Sequence, residues 1–280
     1  MVRRAPDSRH RPPDGPDAAG GLARPHPTRP DRHPGRLVLT VLSFNIHHAE
    51  GPDHELNLAR VAGEIRASGA DVVGLQEVDR HFGPHSGFAD QAAELGRMLG
   101  MHVGYGTNLD LDPLTVSAPR RQYGTALLSR FPVLEQRNVR LPKADGGEEQ
   151  RGLLEAVLLV RGHRIRVLNT HLQFDSARAR RLQAARIREA VLASAEPVVL
   201  TGDLNTLPGD PELAPLTEVL VDAHAVAGSG DGHTFPAPRP TLRIDYVLVG
   251  APLVVCSAQV LPTAASDHRP VRAEILLPSG

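Results

Sequence analysis

The chain has 280 residues, of which 41% are hydrophobic and 22% charged, and its formal net charge is −1. This length suffices for a sizeable core in one large domain or two small ones. The balanced charge excludes a global basic field for nucleic acid or anionic membranes, and the absence of Trp leaves few platforms for base stacking. A single cysteine, Cys256, excludes an internal disulfide framework and a cysteine-based zinc cluster, and its apolar neighbours predict a buried thiol.

The first 35 residues are mostly Pro, Arg, Asp, His and Gly. Such a segment cannot bury enough apolar surface to offset its chain entropy, so we expect a disordered tail over 1–35 and a single domain over 36–280. A start codon assigned too early would give the same composition. Arg3-Arg4 would suit a twin-arginine export signal, but the apolar region that such a signal needs does not follow. No apolar run is long enough to span a membrane, and we expect a cytoplasmic monomer rather than a secreted protein.

Beyond the tail, short apolar runs alternate with segments of helical periodicity. The predicted strands cover residues 37–45, 71–77, 101–105, 123–129, 133–141, 153–160, 164–172, 197–200, 242–249, 253–261 and 271–276. The predicted helices cover residues 56–67, 89–99, 176–195 and 212–219, with Ser176 as the N-cap of the third. Residues 109–121 show no periodicity and are expected to form a surface loop. Several connections are too short for a helix, which favours mixed or antiparallel sheets covered by helices.

Polar side chains stand at the ends of six predicted strands. They are Asn45, Glu77, His171, Asp203 with Asn205, Asp245, and Asp267 with His268. Asp203 and Asn205 are two positions apart, so in extended backbone they would point to the same side. Each residue has a structural alternative: Asn45 suits a turn, Asp245 a pair with Arg243, and His268 a cap. Together they form an acid, amide and imidazole set without cysteine, which is typical of a hard cation such as Mg²⁺ or Mn²⁺.

Seven motifs also carry a family resemblance over residues 37–276. In chain order they are Leu42-Ser43-Phe44-Asn45-Ile46, Asp71-Val72-Val73-Gly74-Leu75-Gln76-Glu77, Gly124-Thr125-Ala126-Leu127-Leu128-Ser129, Asn169-Thr170-His171-Leu172, Gly202-Asp203-Leu204-Asn205, Arg243-Ile244-Asp245-Tyr246-Val247 and Ser266-Asp267-His268-Arg269-Pro270. The set resembles the endonuclease/exonuclease/phosphatase superfamily, which includes the deoxyribonuclease I-like phosphoesterases. The resemblance implies an α/β (α+β) fold: a four-layer α-β-β-α sandwich of two packed mixed or antiparallel sheets flanked by helices. It also implies metal-dependent cleavage of phosphoester bonds, which members carry out on nucleic acids, inositol phosphates and sphingomyelin.

The resemblance implies roles for the acids and amides. Glu77 would be the principal ligand of Mg²⁺ or Mn²⁺, supported by Asn45 and Asp267. Asp203 would orient and deprotonate the attacking water, and Asn205 would donate a hydrogen bond to the phosphoryl oxygen.

It implies a second set of roles around the phosphate. His268 would face the phosphate with its ring oriented by Asp245, and His171 would donate to a phosphate oxygen. Some nuclease members carry a carboxylate near the position of Gly124, which orients the histidine matching His171, so the tautomer of His171 stays open here. Tyr123 could bind phosphate or be an ordinary strand tyrosine. Arg151 could bind substrate or pair with the acids beside it.

The segment Asn45-Ile46-His47-His48 resembles uncharacterised bacterial hydrolases and lipid phosphodiesterases of the family more than its DNA-repair nucleases. We therefore expect hydrolysis of a small, lipid or sugar-linked phosphodiester by in-line attack of an activated water. A nuclease acting on DNA or RNA is the alternative, and the balanced charge argues against tight, sequence-independent DNA binding. A catalytically inactive phosphate-binding module is a third hypothesis. The presence of Glu77, Asp203 and His268 argues against it.

Overall fold

The computed structural model of the chain describes residues 37–278, so the predicted tail over 1–35 lies outside the described residues. Two six-stranded sheets make up the centre of the described part. The strands are β1 (Val38–Asn45), β2 (Val72–Arg80), β3 (His102–Leu111), β4 (Arg121–Ser129), β5 (Val133–Arg140), β6 (Gly152–Val160), β7 (His163–His171), β8 (Val198–Asp203), β9 (Val221–Asp222), β10 (Asp245–Val249), β11 (Val254–Val260) and β12 (Val271–Leu276). The α-helices are α1 (Leu58–Ser68), α2 (Gln91–Leu99), α3 (Ala177–Leu192), α4 (Ala214–Thr217) and α5 (Ala223–Ala227).

Each sheet has one parallel pair of strands within an otherwise antiparallel arrangement. The first sheet has the order β11-β12-β1-β2-β4-β3, and the second has the order β5-β6-β7-β8-β10-β9. The parallel pairs are β1 with β2 and β7 with β8. Each therefore places two strand C-termini side by side.

Three apolar clusters hold the layers together. One lies between the sheets and contains Val41 of β1 and Val167 of β7. A second packs β1 and β2 against α1 and α2. A third packs the second sheet against α3 and α4. Successive strand residues point to opposite faces, so Val41 enters the inter-sheet cluster while Leu42 enters the helix-facing cluster. Burial on both faces explains why these strands are continuous apolar runs.

The predicted four-layer sandwich is confirmed, and the eleven predicted strands match observed ones. Ser176 caps α3 as predicted, its side chain accepting a hydrogen bond from the amide of Ala179. The predicted loop over 109–121 is too long, because β3 runs to Leu111 and β4 begins at Arg121. These strand ends pair with one another and thus need no apolar periodicity. The short β9 and α5 were not predicted.

Cys256 is half-buried, so the prediction of a buried thiol is wrong. Strand β11 lies at the edge of the first sheet, and its pairing with β12 shifts register between Val255 and Ser257. An edge position with a bulge leaves one side of the strand uncovered. Among residues 37–278, no helix combines the length and apolarity that crossing a membrane requires.

Candidate active site at the strand ends

The site forms where the parallel strands of both sheets end. Asn45 closes β1, His171 closes β7 and Asp203 closes β8. The side chain of Asn45 spans the two sheets: its Nδ2 donates to Glu77 Oε1 at 2.9 Å and to Asp203 Oδ2 at 3.0 Å. The ends of both sheets therefore converge on one group of polar side chains.

A buried polar ladder fixes the two sheets relative to each other just behind the site. Asn169 Nδ2 of β7 donates to the carbonyls of Leu75 and Ala126 in the first sheet, at 2.8 and 3.0 Å. Its Oδ1 accepts from Gln76 Nε2 at 2.7 Å and from Thr201 Oγ1 at 3.0 Å. The carboxamide of Asn169 is thus fully hydrogen-bonded, and buried hydrogen bonds of this kind help to specify one arrangement of the core. Asn169 thus sets the distance between the strands that carry Glu77 and Asp203.

Asp203, Asp245 and His268 form what we call the buried triad. All three side chains are almost fully buried. Asp245 opens β10 opposite Asp203 in the β8–β10 register, and its Oδ2 lies 2.9 Å from His268 Nδ1. The other ring nitrogen of His268, Nε2, lies 3.8 Å from Asp203 Oδ2. The alternative pairing of Asp245 with Arg243 does not occur, because Arg243 pairs with Asp222 at 2.8 Å.

The surroundings of the buried triad shift the proton affinities of its members. Burial, and then the Asp245 carboxylate, raise the pKa of Asp203 above its usual range. Burial alone would lower the pKa of His268, but the carboxylates of Asp245 and Asp203 outweigh it and raise that pKa. A carboxylate with raised proton affinity beside a protonated imidazole is suited to proton transfer near neutral pH.

Asn205 is close to Asp203, but not in the way that the sequence predicted. Strand β8 ends at Asp203, and Asn205 has a left-handed backbone with φ 50°. The expectation of two neighbours on one face of extended backbone is therefore wrong. An Asx-type turn joins them, in which the amide of Asn205 donates to Asp203 Oδ1 at 3.0 Å. The side-chain Nδ2 of Asn205 donates to the carbonyl of Leu172 at 3.1 Å, which fixes the carboxamide.

His171 ends β7 beside Asp203, its partner in the parallel β7–β8 register. Its Nε2 is 3.5 Å from Asp203 Oδ2, and its Nδ1 is buried with no hydrogen-bond partner among the described residues. Burial, and then the positive charges of Arg151 and His268, lower the pKa of His171 well below its usual range. These influences favour the neutral form of the ring. Position 124 cannot supply a carboxylate to Nδ1, since a Cβ on Gly124 would stand 1.9 Å from the carbonyl oxygen of Gly106.

Tyr123 and Arg151 lie beside the polar side chains that surround Asp203. Neither residue contacts the carboxylate of Asp203. Burial, and then the Glu77 carboxylate, raise the pKa of Tyr123 well above its usual range. Arg151 is buried, its Nη1 3.0 Å from Glu149 Oε1 and its Nε donating to Gln173 Oε1 at 3.4 Å. The ion-pair alternative for Arg151 is thus present in the structure.

Glu77 belongs to a second group, His47, His48 and Glu77, which we call the histidine–glutamate cluster. One potential ligand atom from each of the three lies within 4.8 Å of the others. Glu77 sits at a register shift of the β2–β4 pair with φ 56°, which turns its side chain toward the strand ends. Asp267 borders the cluster, its Oδ1 3.8 Å from His47 Nδ1.

Sequence reasoning missed several residues that support the site. Ser266 Oγ donates to the carbonyl of Asn45 at 2.8 Å and accepts from the amide of His268 at 3.1 Å. The ring of Phe235 packs 4.7 Å from the ring of His268. Three of the supporting residues, Ser266, Gln76 and Asn169, lie within the quoted motifs. Their presence in the motifs could therefore have indicated a role at the site. Phe235 lies outside the motifs, so the sequence contained no signal for its role.

Two packed mixed sheets with carboxylates, amides and imidazoles at their joined strand ends suit metal-dependent phosphoester chemistry. The chain belongs to the endonuclease/exonuclease/phosphatase family, whose family model matches residues 42–268. Members of this family are phosphoesterases that depend on a divalent metal, and the carboxylate and histidine groups described above could hold one.

Solved structures of the family agree in fold. A family protein from Beutenbergia cavernae is 29% identical, with 87% of this chain and 72% of that chain covered and a TM-score of 0.71. A mannosyl-6-phosphatase from Bacteroides thetaiotaomicron is 20% identical, with 85% and 100% covered and a TM-score of 0.67. Truncated TDP2 from Caenorhabditis elegans is 21% identical, with 86% and 98% covered and a TM-score of 0.61. The last two likenesses concern the fold alone.

One curated relative is similar to this chain over only a small part of the relative's own length. Protein cwh43 of Schizosaccharomyces pombe is 30% identical over 171 residues, which is 61% of this chain. The match spans 16% of that protein.

Proposed function

We propose that this enzyme hydrolyses a small, lipid or sugar-linked phosphodiester with the help of Mg²⁺ or Mn²⁺. The observation that carries the proposal is the position of Asp203. Its buried carboxylate lies within 3.0 Å of Asn45, 3.5 Å of His171 and 3.8 Å of His268, and Asn45 joins it to Glu77. The carboxylate of Asp203, which can accept a proton, is thus surrounded by side chains that could bind a metal and a phosphate.

The metal would be held on the Glu77 side of the site. Glu77 is the principal ligand in this proposal, with Asn45 and Asp267 as further oxygen donors. Asn45 now turns its Oδ1 to the amide of His47 at 3.1 Å, so a rotation of the carboxamide would present oxygen beside Glu77. When bound, the metal neutralises charge on the phosphoryl oxygens and lowers the pKa of a coordinated water.

The residues around Asp203 would carry out the proton transfers and hold the phosphate. Asp203 accepts the proton of the attacking water, for which its raised pKa suits it. His268, kept protonated by Asp245, donates to a phosphate oxygen, and neutral His171 donates through one ring nitrogen. Asn205 has a second amide hydrogen for the same phosphate, since only one is required by Leu172. Tyr123 and Arg151 would contact the substrate at the edge of the site.

A screen of phosphoesters tests the proposal directly. Lipid-linked and sugar-linked phosphodiesters, phosphomonoesters such as mannose 6-phosphate, and single- and double-stranded DNA would each be offered with Mg²⁺, Mn²⁺ or Ca²⁺. We expect the fastest turnover on a small phosphodiester. Preferential cleavage of DNA would contradict the substrate class and favour a nuclease.

Chelation tests the metal. Treatment with EDTA should abolish hydrolysis, and added Mg²⁺ or Mn²⁺ should restore it. Full activity after exhaustive chelation would show that the carboxylate set has another purpose. The cytoplasmic location and the monomeric state stay predictions.

A further inference from the structure

The two imidazoles of the histidine–glutamate cluster have no role in the proposed hydrolysis. His47 and His48 follow β1 after a single residue, and both are half-buried beside Glu77. His47 Nδ1 is buried and makes no hydrogen bond within residues 37–278. A buried ring nitrogen without a hydrogen-bond partner, 3.8 Å from the carboxylate of Asp267, is a position where a ligand would replace lost hydration.

The backbone aims both imidazoles at the same side by an uncommon conformation. His47, His48 and Ala49 have φ values of 43°, 41° and 67°, three left-handed residues in a row, and none of them is glycine. The turn is anchored from α2, because Gln91 Nε2 donates to the carbonyl of His48 at 2.6 Å while Gln91 Oε1 accepts from the amide of Asp79 at 3.0 Å. The surrounding structure therefore holds the two rings at Glu77 in spite of the backbone cost.

A further polar pair supports the rings from behind. The ring of His85 meets the ring of His48 edge-on, with centroids 4.8 Å apart. His85 Nε2 lies 2.8 Å from Oδ2 of Asp79, whose side chain is almost fully buried. The contact with Asp79 therefore fixes His85 against the ring of His48.

The chemistry of these three donors differs from that of the hydrolytic site. The hydrolytic site offers carboxylate and amide oxygens, which suit Mg²⁺. The histidine–glutamate cluster offers two imidazole nitrogens and one carboxylate, a set that suits Zn²⁺ or Co²⁺ and serves Mg²⁺ poorly. Glu77 borders both.

We propose that His47, His48 and Glu77 bind a transition-metal ion beside the Mg²⁺ site, so that this enzyme has a mixed two-metal centre. The inference rests on the proposed function only in that Glu77 would be shared by the two ions. The side chain of Glu77 has two oxygens, so it would be available to both ions.

Co²⁺ binding gives a readout that does not depend on turnover. Metal-free full-length protein would be titrated with Co²⁺ in excess Mg²⁺, and the visible d–d absorption and the number of bound ions would be measured. We expect one Co²⁺ per chain with nitrogen-ligand absorption. The double variant His47→Gln/His48→Gln should bind Co²⁺ at least roughly tenfold more weakly, since even disturbing the support of a ligand costs that much.

A matched control is available in the same loop. The side chain of His54 is highly exposed and pairs with Glu50 at 2.9 Å, so His54→Gln should leave the titration unchanged. All variants keep the other histidines of the chain, and their contribution therefore cancels in the comparison. If the double variant does not fold, the unaltered protein can be tested instead. Zn²⁺ should then shift the ring ¹⁵N resonances of His47 and His48.

The outcomes separate the two proposals. Equal Co²⁺ affinity in the unaltered protein and the double variant, or no shift of the two rings with Zn²⁺, would overturn the transition-metal site even if phosphodiesters are hydrolysed. An unchanged metal titration with a raised KM would show that the imidazoles bind substrate instead. Histidine-dependent Co²⁺ binding without phosphoester hydrolysis would support the metal site and refute the proposed function.

Discussion

The buried triad and the histidine–glutamate cluster lie at the same edge of the sandwich but are held by different means. Asp203 and Asp245 stand opposite each other on two regularly paired strands, and His268 is locked by Asp245 and Ser266. His47, His48 and Glu77 all have left-handed backbones, and Glu77 stands at a register shift of its strand. One group uses ordinary sheet geometry, while the other depends on strained residues.

The difference indicates a division of labour in the proposed enzyme. Groups that transfer protons must be fixed and dry, because preorganised dipoles act most strongly away from water. Ligands that receive an ion must be reachable from solvent and must converge on one point. A left-handed turn brings adjacent residues to one side of the chain, which extended backbone cannot do. Variants of residues in both groups can test this division.

Replacement of the base in the buried triad should have the largest effect. Asp203→Asn keeps the size of the side chain and removes the basic oxygen, so we expect kcat to fall by about 10²–10⁴-fold with a smaller change in KM. Added metal should not restore the rate. Steady-state kinetics across a Mg²⁺ titration measure both effects, with the exposed Asp231→Asn as the control. Full rescue by metal would make Asp203 a ligand rather than the base.

Removal of the carboxylate behind His268 should have the next largest effect. Asp245 is the strongest influence that raises the pKa of His268, so Asp245→Asn should lower that pKa and let the ring lose its proton at lower pH. We expect kcat to fall by roughly 10–100-fold, as for other residues that orient an imidazole.

Ring ¹⁵N titration of His268 in both proteins checks the direction of the shift. The control variant Asp231→Asn should leave the titration of His268 unchanged. An unchanged titration in Asp245→Asn, together with a reduced rate, would mean that Asp245 acts on the fold rather than on the ring.

Glu77→Gln should produce a smaller and conditional effect. It weakens the metal site without touching the base, so the Mg²⁺ concentration for half-maximal rate should rise at least roughly tenfold, and excess Mg²⁺ should recover part of kcat. Glu189→Gln on the exposed face of α3 provides the control. If excess Mg²⁺ had no effect on Glu77→Gln, the metal would have to lie on other residues.

Removal of residues 1–35 should have the smallest effect on either group. These residues carry almost no apolar side chains, so we expect the melting temperature, the Co²⁺ titration and kcat to stay as in the full chain. A loss of more than about 1 kcal/mol of stability, seen as a drop of a few degrees in the melting temperature, would show that the segment packs on the domain.

The layers of this protein and the main members of its site can be inferred from the amino-acid sequence alone. Continuous apolar runs such as Val72–Leu75 predict strands buried on both faces, and the polar residues that end those runs predict a site at the strand ends. Local composition suffices for such inferences because burial and periodicity are properties of single segments. The structure adds the contacts from Asn45 to Asp203 and from Asp245 to His268, between residues 158 and 23 positions apart.

The other side chains of the site are placed by strained backbone, which becomes visible only in the folded chain. No periodicity shows that His47, His48, Glu77 and Asn205 have positive φ, because the cost of that conformation is met by distant contacts such as Gln91 with the carbonyl of His48. The same holds for Asn169, whose partners come from β2, β4 and β8. A polar group at a strand end is visible in the sequence. Its direction depends on pairing, bulges and buried hydrogen bonds that join segments far apart in the chain.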